Sequence, residues 1–219
     1  MSDVEALDDL EALGAEEILA HAVERFHPRL AVACSFQKEA SVILDMLVKI
    51  EPETQFFTLD TGVLFPETMD TWRTVEKRYG IKVRAYRGMT LEAQAARHGD
   101  ALWERDPDLC CSIRKVAPLN EALSGLDAWV SGLRRDQSPT RATTKKLAWD
   151  AKHDLWKLNP LADWSERDVW RYINEHDVPY HPLHDRGYAS IGCTHCTAPS
   201  AGRDGRWNDR EKIECGIHA

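Results

Sequence analysis

Four of the six cysteines form two tight pairs, Cys110-Cys111 and Cys193-Thr-His-Cys196, and a fifth, Cys215, stands in Glu-Cys-Gly-Ile-His near the C-terminus. Pairs that are already local in sequence converge with little loop-closure entropy within each pair, so the layout suggests a four-thiolate metal centre and a separate reactive thiol. Tetrahedral zinc and an iron–sulfur cluster both accept four thiolates, and spacing alone leaves both open. Adjacent cysteines must turn both side chains towards one object, which a larger cluster tolerates better. His195, inside the second pair, is not needed as a ligand once four thiolates are present, and is expected beside the site or in solvent. Cys215, three residues before His218 and next to Gly216, is placed near a chain end where it can swing into and out of a site. An inert, exposed tail cysteine is the alternative there. Cys34 lies in an apolar run and reads as core.

Basic residues gather near these positions. Arg134, Arg135 and Arg141 fall in one polar stretch, and Arg203-Asp-Gly-Arg206 precedes Trp207 just upstream of Cys215. Planar guanidinium groups suit phosphate and sulfate because they can bind two oxygens at once; a solvated surface run is the competing reading for Arg134 and Arg135. The net charge of −8 argues against nucleic-acid or membrane binding by the surface as a whole, so an anionic substrate has to be held by a local cluster.

The elements that position these residues read as alternating strands and helices. Arg29 to Cys34 is a short apolar strand that exits at Ser35 into a helical pattern through Ala40, Ile43, Leu44, Leu47 and Val48. Thr54 to Leu59 leads into the turn Asp60-Thr-Gly62, after which Pro66 opens a helix towards Tyr79-Gly80. Ile81 to Tyr86 and Asp127 to Ser131 supply two more strands, the last entering the loop Gly132 to Thr144. This β-α repetition predicts an α/β fold with a mainly parallel sheet and helices on both faces. Ligands then bind beyond the carboxyl ends of the strands, with Ser35, Asp60 and Gly132 as walls of one site. Ser165 is placed to cap a helix, with Asp168 at the capping-box position. Trp103, Trp149 and Trp164 are expected in packing roles, and His181 and His184 lack a clean ligand spacing. The chain is expected to be one unit: residues 1–28 a helical extension, 29–178 the α/β core, and 179–219 a loop-rich segment. No signal peptide or membrane span is apparent, so a reducing cytoplasmic setting is expected, where paired cysteines point to metal or catalysis.

Six motifs together, Ala33-Cys-Ser-Phe-Gln-Lys-Glu39, Leu59-Asp-Thr-Gly62, Cys110-Cys111 with Lys115, Gly132 to Arg141, Ile191-Gly-Cys-Thr-His-Cys196 and Lys212 to His218, resemble the assimilatory adenylyl-sulfate reductases. The resemblance implies a fold like that of the PP-loop, adenine nucleotide α-hydrolase-like proteins, and a [4Fe-4S] cluster on Cys110, Cys111, Cys193 and Cys196. It implies that Cys215 attacks the sulfur of adenosine 5'-phosphosulfate, expels AMP and becomes an S-sulfonate, from which thioredoxin or a glutaredoxin-like reductant frees sulfite. The thiol chemistry accounts for both electrons, so the cluster is expected to position basic residues and tune the field at the sulfate. Ser35, Phe36, Gln37 and Glu39, then Asp60, Thr61 and Gly62, are implied to contact the nucleotide. Lys115, Arg203 and Arg206 are implied at the phosphosulfate, with Lys115 linking it to the cluster, and Arg134, Arg135 and His218 complete the expected contacts. The glycine pair of the ATP-using relatives is missing, and Phe36 and Gln37 are expected to crowd the place of a free pyrophosphate. Reduction of the 3'-phosphorylated nucleotide is the near alternative. A tRNA-thiolating enzyme would require ATP and a glycine-rich loop, and a non-catalytic redox-sensing metal protein would not need Cys215.

Overall fold

The computed structural model of the chain describes residues 10–207, 212 and 214–218. The first nine residues of the expected N-terminal extension lie outside the described residues; the rest of it contains helix α1 (Ala15–Phe26), which packs on α2. The core alternates as expected: β1 (Leu30–Ala33), α2 (Lys38–Ile50), β2 (Gln55–Leu59), α3 (Pro66–Tyr79) and β3 (Val83–Tyr86). Helices α4 (Leu91–His98), α5 (Leu102–Arg105), α6 (Pro107–Cys111) and α7 (Ala117–Leu123) follow, the last two joined by a π-helical turn, Ser112–Val116. Strands β4 (Ala128–Val130), β5 (Leu147–Asp150) and β6 (Leu155–Leu158) and helix α8 (Glu166–His176) complete the regular structure.

The six strands are ordered β3-β2-β1-β4-β6-β5. All neighbours run parallel except β5 and β6, which form an antiparallel edge hairpin. Val32 of β1 sits opposite Phe56 on one side and Val130 on the other. Both faces of the central strands are buried, and successive residues serve different layers. Leu30, Val32, Phe56, Ala128 and Val130 pack with α1, α2 and α8, whereas Ala31, Phe57 and Trp129 pack with Leu119, Ala122 and Leu123 of α7. Because the chain leaves β1 towards β2 and later returns to its other side at β4, a crevice opens at the carboxyl ends between them, where such sheets bind ligands.

Local chemistry fixes the ends of the helices that frame this crevice. Pro66 occupies the first turn of α3, and Gly80, at φ +66°, ends it in the left-handed region. Ser165 accepts a hydrogen bond from the Asp168 N–H at 3.2 Å, while the Asp168 carboxylate accepts one from the Ser165 N–H at 3.0 Å, the expected capping box. Residues 179–207 contain only short turns and isolated bridges, including Leu64 to Cys193 and Thr197 to Arg206. Among the described residues no helix is long and apolar enough to cross a membrane.

Candidate active site and cysteine pocket

A cavity of about 290 Å³ opens at the carboxyl edge of the sheet. The exits of β1, β2 and β4 form its floor, and Ser190 to Gly192, Arg203, Arg206, Cys215, Ile217 and His218 close over it. Gly132 runs so close to α2 that a Cβ there would lie 3.0 Å from that of Glu39, so a side chain in the loop after β4 would have to push Glu39 aside by a few tenths of an ångström.

The loop after β1 meets the expectation only in part. Ser35, Gln37 and Glu39 line the cavity. The Gln37 Oε1 accepts the Ile191 N–H at 2.7 Å, tying this loop to the C-terminal segment. Phe36 does not crowd the cavity: at φ +59° its ring turns into the core and stacks on Trp72 at 5.6 Å. A bulky residue held in the left-handed region is uncommon and marks local strain. The first N–H of α2, on Lys38, donates to His184 Nε2 at 3.3 Å, and His184 Nδ1 donates to Tyr188 O at 2.8 Å. His184, which sequence spacing did not single out, thereby positions the start of α2.

The loop after β2 serves the cysteines more than the crevice. Thr61 lines the cavity, but the Asp60 carboxylate accepts from the Gly62 N–H at 3.0 Å and from Arg87 at 2.8 Å, and neither Asp60 nor Gly62 forms part of the wall. Thr61 carries Cys193 on its hydroxyl at 3.4 Å, and its carbonyl accepts from the buried Arg114 Nη1 at 2.5 Å. Of the arginines after β4, Arg134 lines the cavity with its charge committed, bound by Glu39 at 3.1 Å and by Asp136. Arg135, expected at the substrate, turns away to Glu11 at 2.6 Å and the Thr144 carbonyl at 2.8 Å and does not line the cavity.

At the other end stand Lys115, Arg203 and Arg206 with Cys215. Arg206 donates to the Ser190 hydroxyl at 3.2 Å, and its Nε, though buried, has no partner among the described residues. An unpartnered guanidinium nitrogen in a cavity wall invites an anion. Arg203 and Arg141 share Glu214, with Arg141 gripping it at 2.7 and 2.8 Å. This pairing, invisible in the sequence, docks the last described segment, and Lys152 holds the Gly216 carbonyl at 3.3 Å. His218 stacks on Trp129 with centroids 5.8 Å apart, and its Nδ1 accepts from Lys157 at 3.2 Å. Burial, with Lys157, Arg141 and Arg203 nearby, holds the imidazole well below its ordinary pKa, so it is neutral at pH 7. Burial likewise pushes Lys157 down to about 8.

Cys215 is not an exposed tail residue; it is buried at 8% accessibility, against Cys111, Cys196 and Trp207. Burial opposes its ionisation, but Lys115, the Ile217 N–H and Arg206 outweigh burial and Glu214, leaving the thiol below its ordinary pKa.

Cys110, Cys111, Cys193 and Cys196 line a second, small cavity with Arg114, Lys115, Trp103, His195 and Trp207. All six cysteines are free thiols and buried. Burial and mutual proximity push Cys110 up to about 11 and raise Cys196. Among the described residues no three His, Cys, Asp or Glu side chains converge closely enough to hold a single ion. His195 is exposed and stacks on Trp103 at 4.0 Å, at the rim of the pocket. Trp103 thus belongs to this pocket, and Trp149, 49% exposed on the edge hairpin, is not core packing. Lys115 forms part of both cavity walls.

Residues 29–199 match the phosphoadenosine phosphosulfate reductase domain family. The chain belongs to that family. It is 46% identical over 211 residues to an adenosine 5'-phosphosulfate reductase of Lysinibacillus sphaericus, covering 94% of this chain and 91% of the relative. It is also 46% identical over 217 residues to a phosphoadenosine 5'-phosphosulfate reductase of Gloeobacter violaceus, covering 95% and 90%. The crystal structure of a phosphoadenylyl-sulfate reductase from Candida auris, in complex with phosphate, superposes with a TM-score of 0.79 at 33% identity, covering 90% of this chain and 98% of that one. Family membership makes the chain an oxidoreductase acting on sulfur and agrees with the expected PP-loop-type α/β fold.

Proposed function

We propose that the chain reduces adenosine 5'-phosphosulfate to sulfite and AMP, with Cys215 as nucleophile. The observation that carries this reading is the meeting of a lowered-pKa thiol, Lys115 and Arg206 at one end of a crevice at the sheet's carboxyl edge. The Cys215 thiolate attacks the sulfur, the S–O bond to the phosphate breaks, and AMP leaves with the bonding pair. The product is an S-sulfonate on Cys215. A thiolate of a thioredoxin-type dithiol then attacks Cys215 Sγ and expels sulfite, and its second thiol resolves the mixed disulfide. The dithiol is oxidised and sulfur falls from the sulfate to the sulfite level, a two-electron exchange that balances.

Bringing a thiolate to an anionic sulfuryl group requires positive charge to offset repulsion. Lys115, Arg203 and Arg206 supply it, while the neutral His218 lies against Trp129 in the same wall. Ser35, Gln37, Glu39 and Thr61 shape the nucleotide end. The four paired cysteines would hold a [4Fe-4S] cluster: they are free, buried and line one cavity. Held by these four thiolates, a cluster would supply a fixed charge beside Lys115 and Arg114, which line the same cavity. The test is sulfite release from adenosine 5'-phosphosulfate with reduced thioredoxin, alongside iron and sulfide analysis of anaerobically purified protein. Sulfite with stoichiometric AMP is expected; a zinc-loaded protein that releases neither contradicts the reading.

A further inference from the structure

Lys157 of β6 lies behind the crevice rather than in its wall, which Trp129, Cys215 and His218 help to form. Its Nζ donates to His218 Nδ1 at 3.2 Å and stands 4.8 Å from the centre of the Trp129 ring, on which His218 stacks. Among the described residues it closes no ion pair, although Asp150 and Glu214 favour its charge from farther off and Arg141 opposes it. A half-buried ammonium with no carboxylate in contact is costly, and here its hydrogen bond goes to an imidazole. The platform under that imidazole is fixed in turn. Trp129, fully buried, donates its indole N–H to Asp150 at 3.2 Å, and the same carboxylate oxygen holds His153 at 2.8 Å.

We infer that Lys157 is a positioning residue: it fixes the tautomer of His218, so that the ring offers an Nε2–H donor to the phosphosulfate group. The inference rests on the proposed function for placing that group beside Cys215, three residues before His218. A lysine ammonium has donors only, so Nδ1 must accept. A neutral imidazole that accepts at Nδ1 carries its proton on Nε2. In the opposite tautomer Nε2 would turn a lone pair towards the incoming anion, and attraction would become repulsion. Lys157 acts through the ring, because it does not reach the cavity wall itself. Stacking on Trp129 sets the plane of the imidazole, and the hydrogen bond from Lys157 sets which nitrogen bears the proton.

Nitrogen-15 NMR of histidine-labelled holoprotein reads the tautomer, with the His218 signals assigned by their loss in His218→Phe, which keeps a ring on Trp129. The Nε2–H form is expected in the wild type and in Lys157→Arg, and a mixture of tautomers in Lys157→Met. Calorimetric binding of adenosine 5'-phosphosulfate in the Cys215→Ser background reads the consequence. Lys157→Met is expected to weaken binding roughly tenfold, and Lys157→Arg, which keeps charge and donors, to stay within about threefold. With His218→Phe already present, Lys157→Met is expected to cost less than about twofold. A wild-type proton on Nδ1, a tautomer unmoved in Lys157→Met, or a loss undiminished in the His218→Phe background overturns the inference. A tautomer that shifts as expected in a protein that releases no sulfite sinks the proposed reaction but supports the role of Lys157.

Discussion

Cys34 and Cys215 line the same crevice and are almost equally buried, at 3% and 8% accessibility, yet their surroundings drive them in opposite directions. At the end of β1, Cys34 meets no compensating charge, and burial alone raises its pKa far above the ordinary thiol value. In the C-terminal segment, Lys115, the Ile217 N–H and Arg206 overcome the same penalty and leave Cys215 more acidic than a free thiol. Burial therefore does not decide reactivity here; the placement of cations does.

The largest expected effect comes from exchanging the two thiols' roles. Cys215→Ser should lower sulfite release by about three orders of magnitude or more, as loss of a nucleophile does, whereas Cys34→Ser should stay within roughly threefold of wild type. Equal losses would erase the contrast.

Removing the charge that separates them comes next. Lys115→Gln should reduce kcat/KM by roughly a hundredfold, the scale of losing one preorganised electrostatic contact. It should also move the pH dependence of Cys215 alkylation. In the wild type the thiolate persists down to its lowered pKa, so alkylation falls only as pH drops through that point. In Lys115→Gln the same acid limb should shift to higher pH, and Cys34 should remain unlabelled in both until the protein unfolds. An unshifted limb would show that Lys115 does not act on the thiol.

Loosening the segment that carries Cys215 should have a smaller effect. Glu214→Gln removes the charge shared by Arg141 and Arg203 and should raise the apparent KM by roughly three- to tenfold while leaving the Cys215 alkylation product unchanged. The smallest effect on catalysis is expected from the scaffold behind Cys34. Asp45 of α2 accepts from Lys49 at 2.6 Å and from Tyr79 and Tyr172 at 2.8 Å, bonds that overcome burial and lower its pKa. That stabilisation is present at neutral pH and is lost as pH falls through the lowered value. Asp45→Asn should cost about 1–2 kcal/mol in urea unfolding at pH 7, a difference that should shrink in acid.

The strand and helix alternation from β1 to β4 was legible because apolar runs of four to six residues were punctuated by Ser35, Asp60-Thr-Gly62 and Gly132. The β5–β6 hairpin was not. Its turn lacks an Asn-Gly or Asp-Gly pair and instead places Asp154 at φ +56°, and its strands mix Trp, Asp and Lys without clean alternation. In the site, the family resemblance set Lys115, Arg203 and Arg206 beside Cys215, and all four line one cavity. It misplaced Phe36 and Arg135 because a positive φ and a long-range pair to Glu11 decide where those side chains go. Glu214 and Glu166 were overlooked for the same reason, since their partners lie 73 and 128 residues away.

The proposed reaction requires that Cys215, and no other thiol, take the sulfonate. Protein incubated with adenosine 5'-phosphosulfate in the absence of reductant, then digested and mapped by mass spectrometry, tests it directly. One SO₃ group is expected on the peptide bearing Cys215, discharged as sulfite when reduced thioredoxin is added. An SO₃ group on Cys34 instead, or sulfite release that persists in Cys215→Ser, would contradict it.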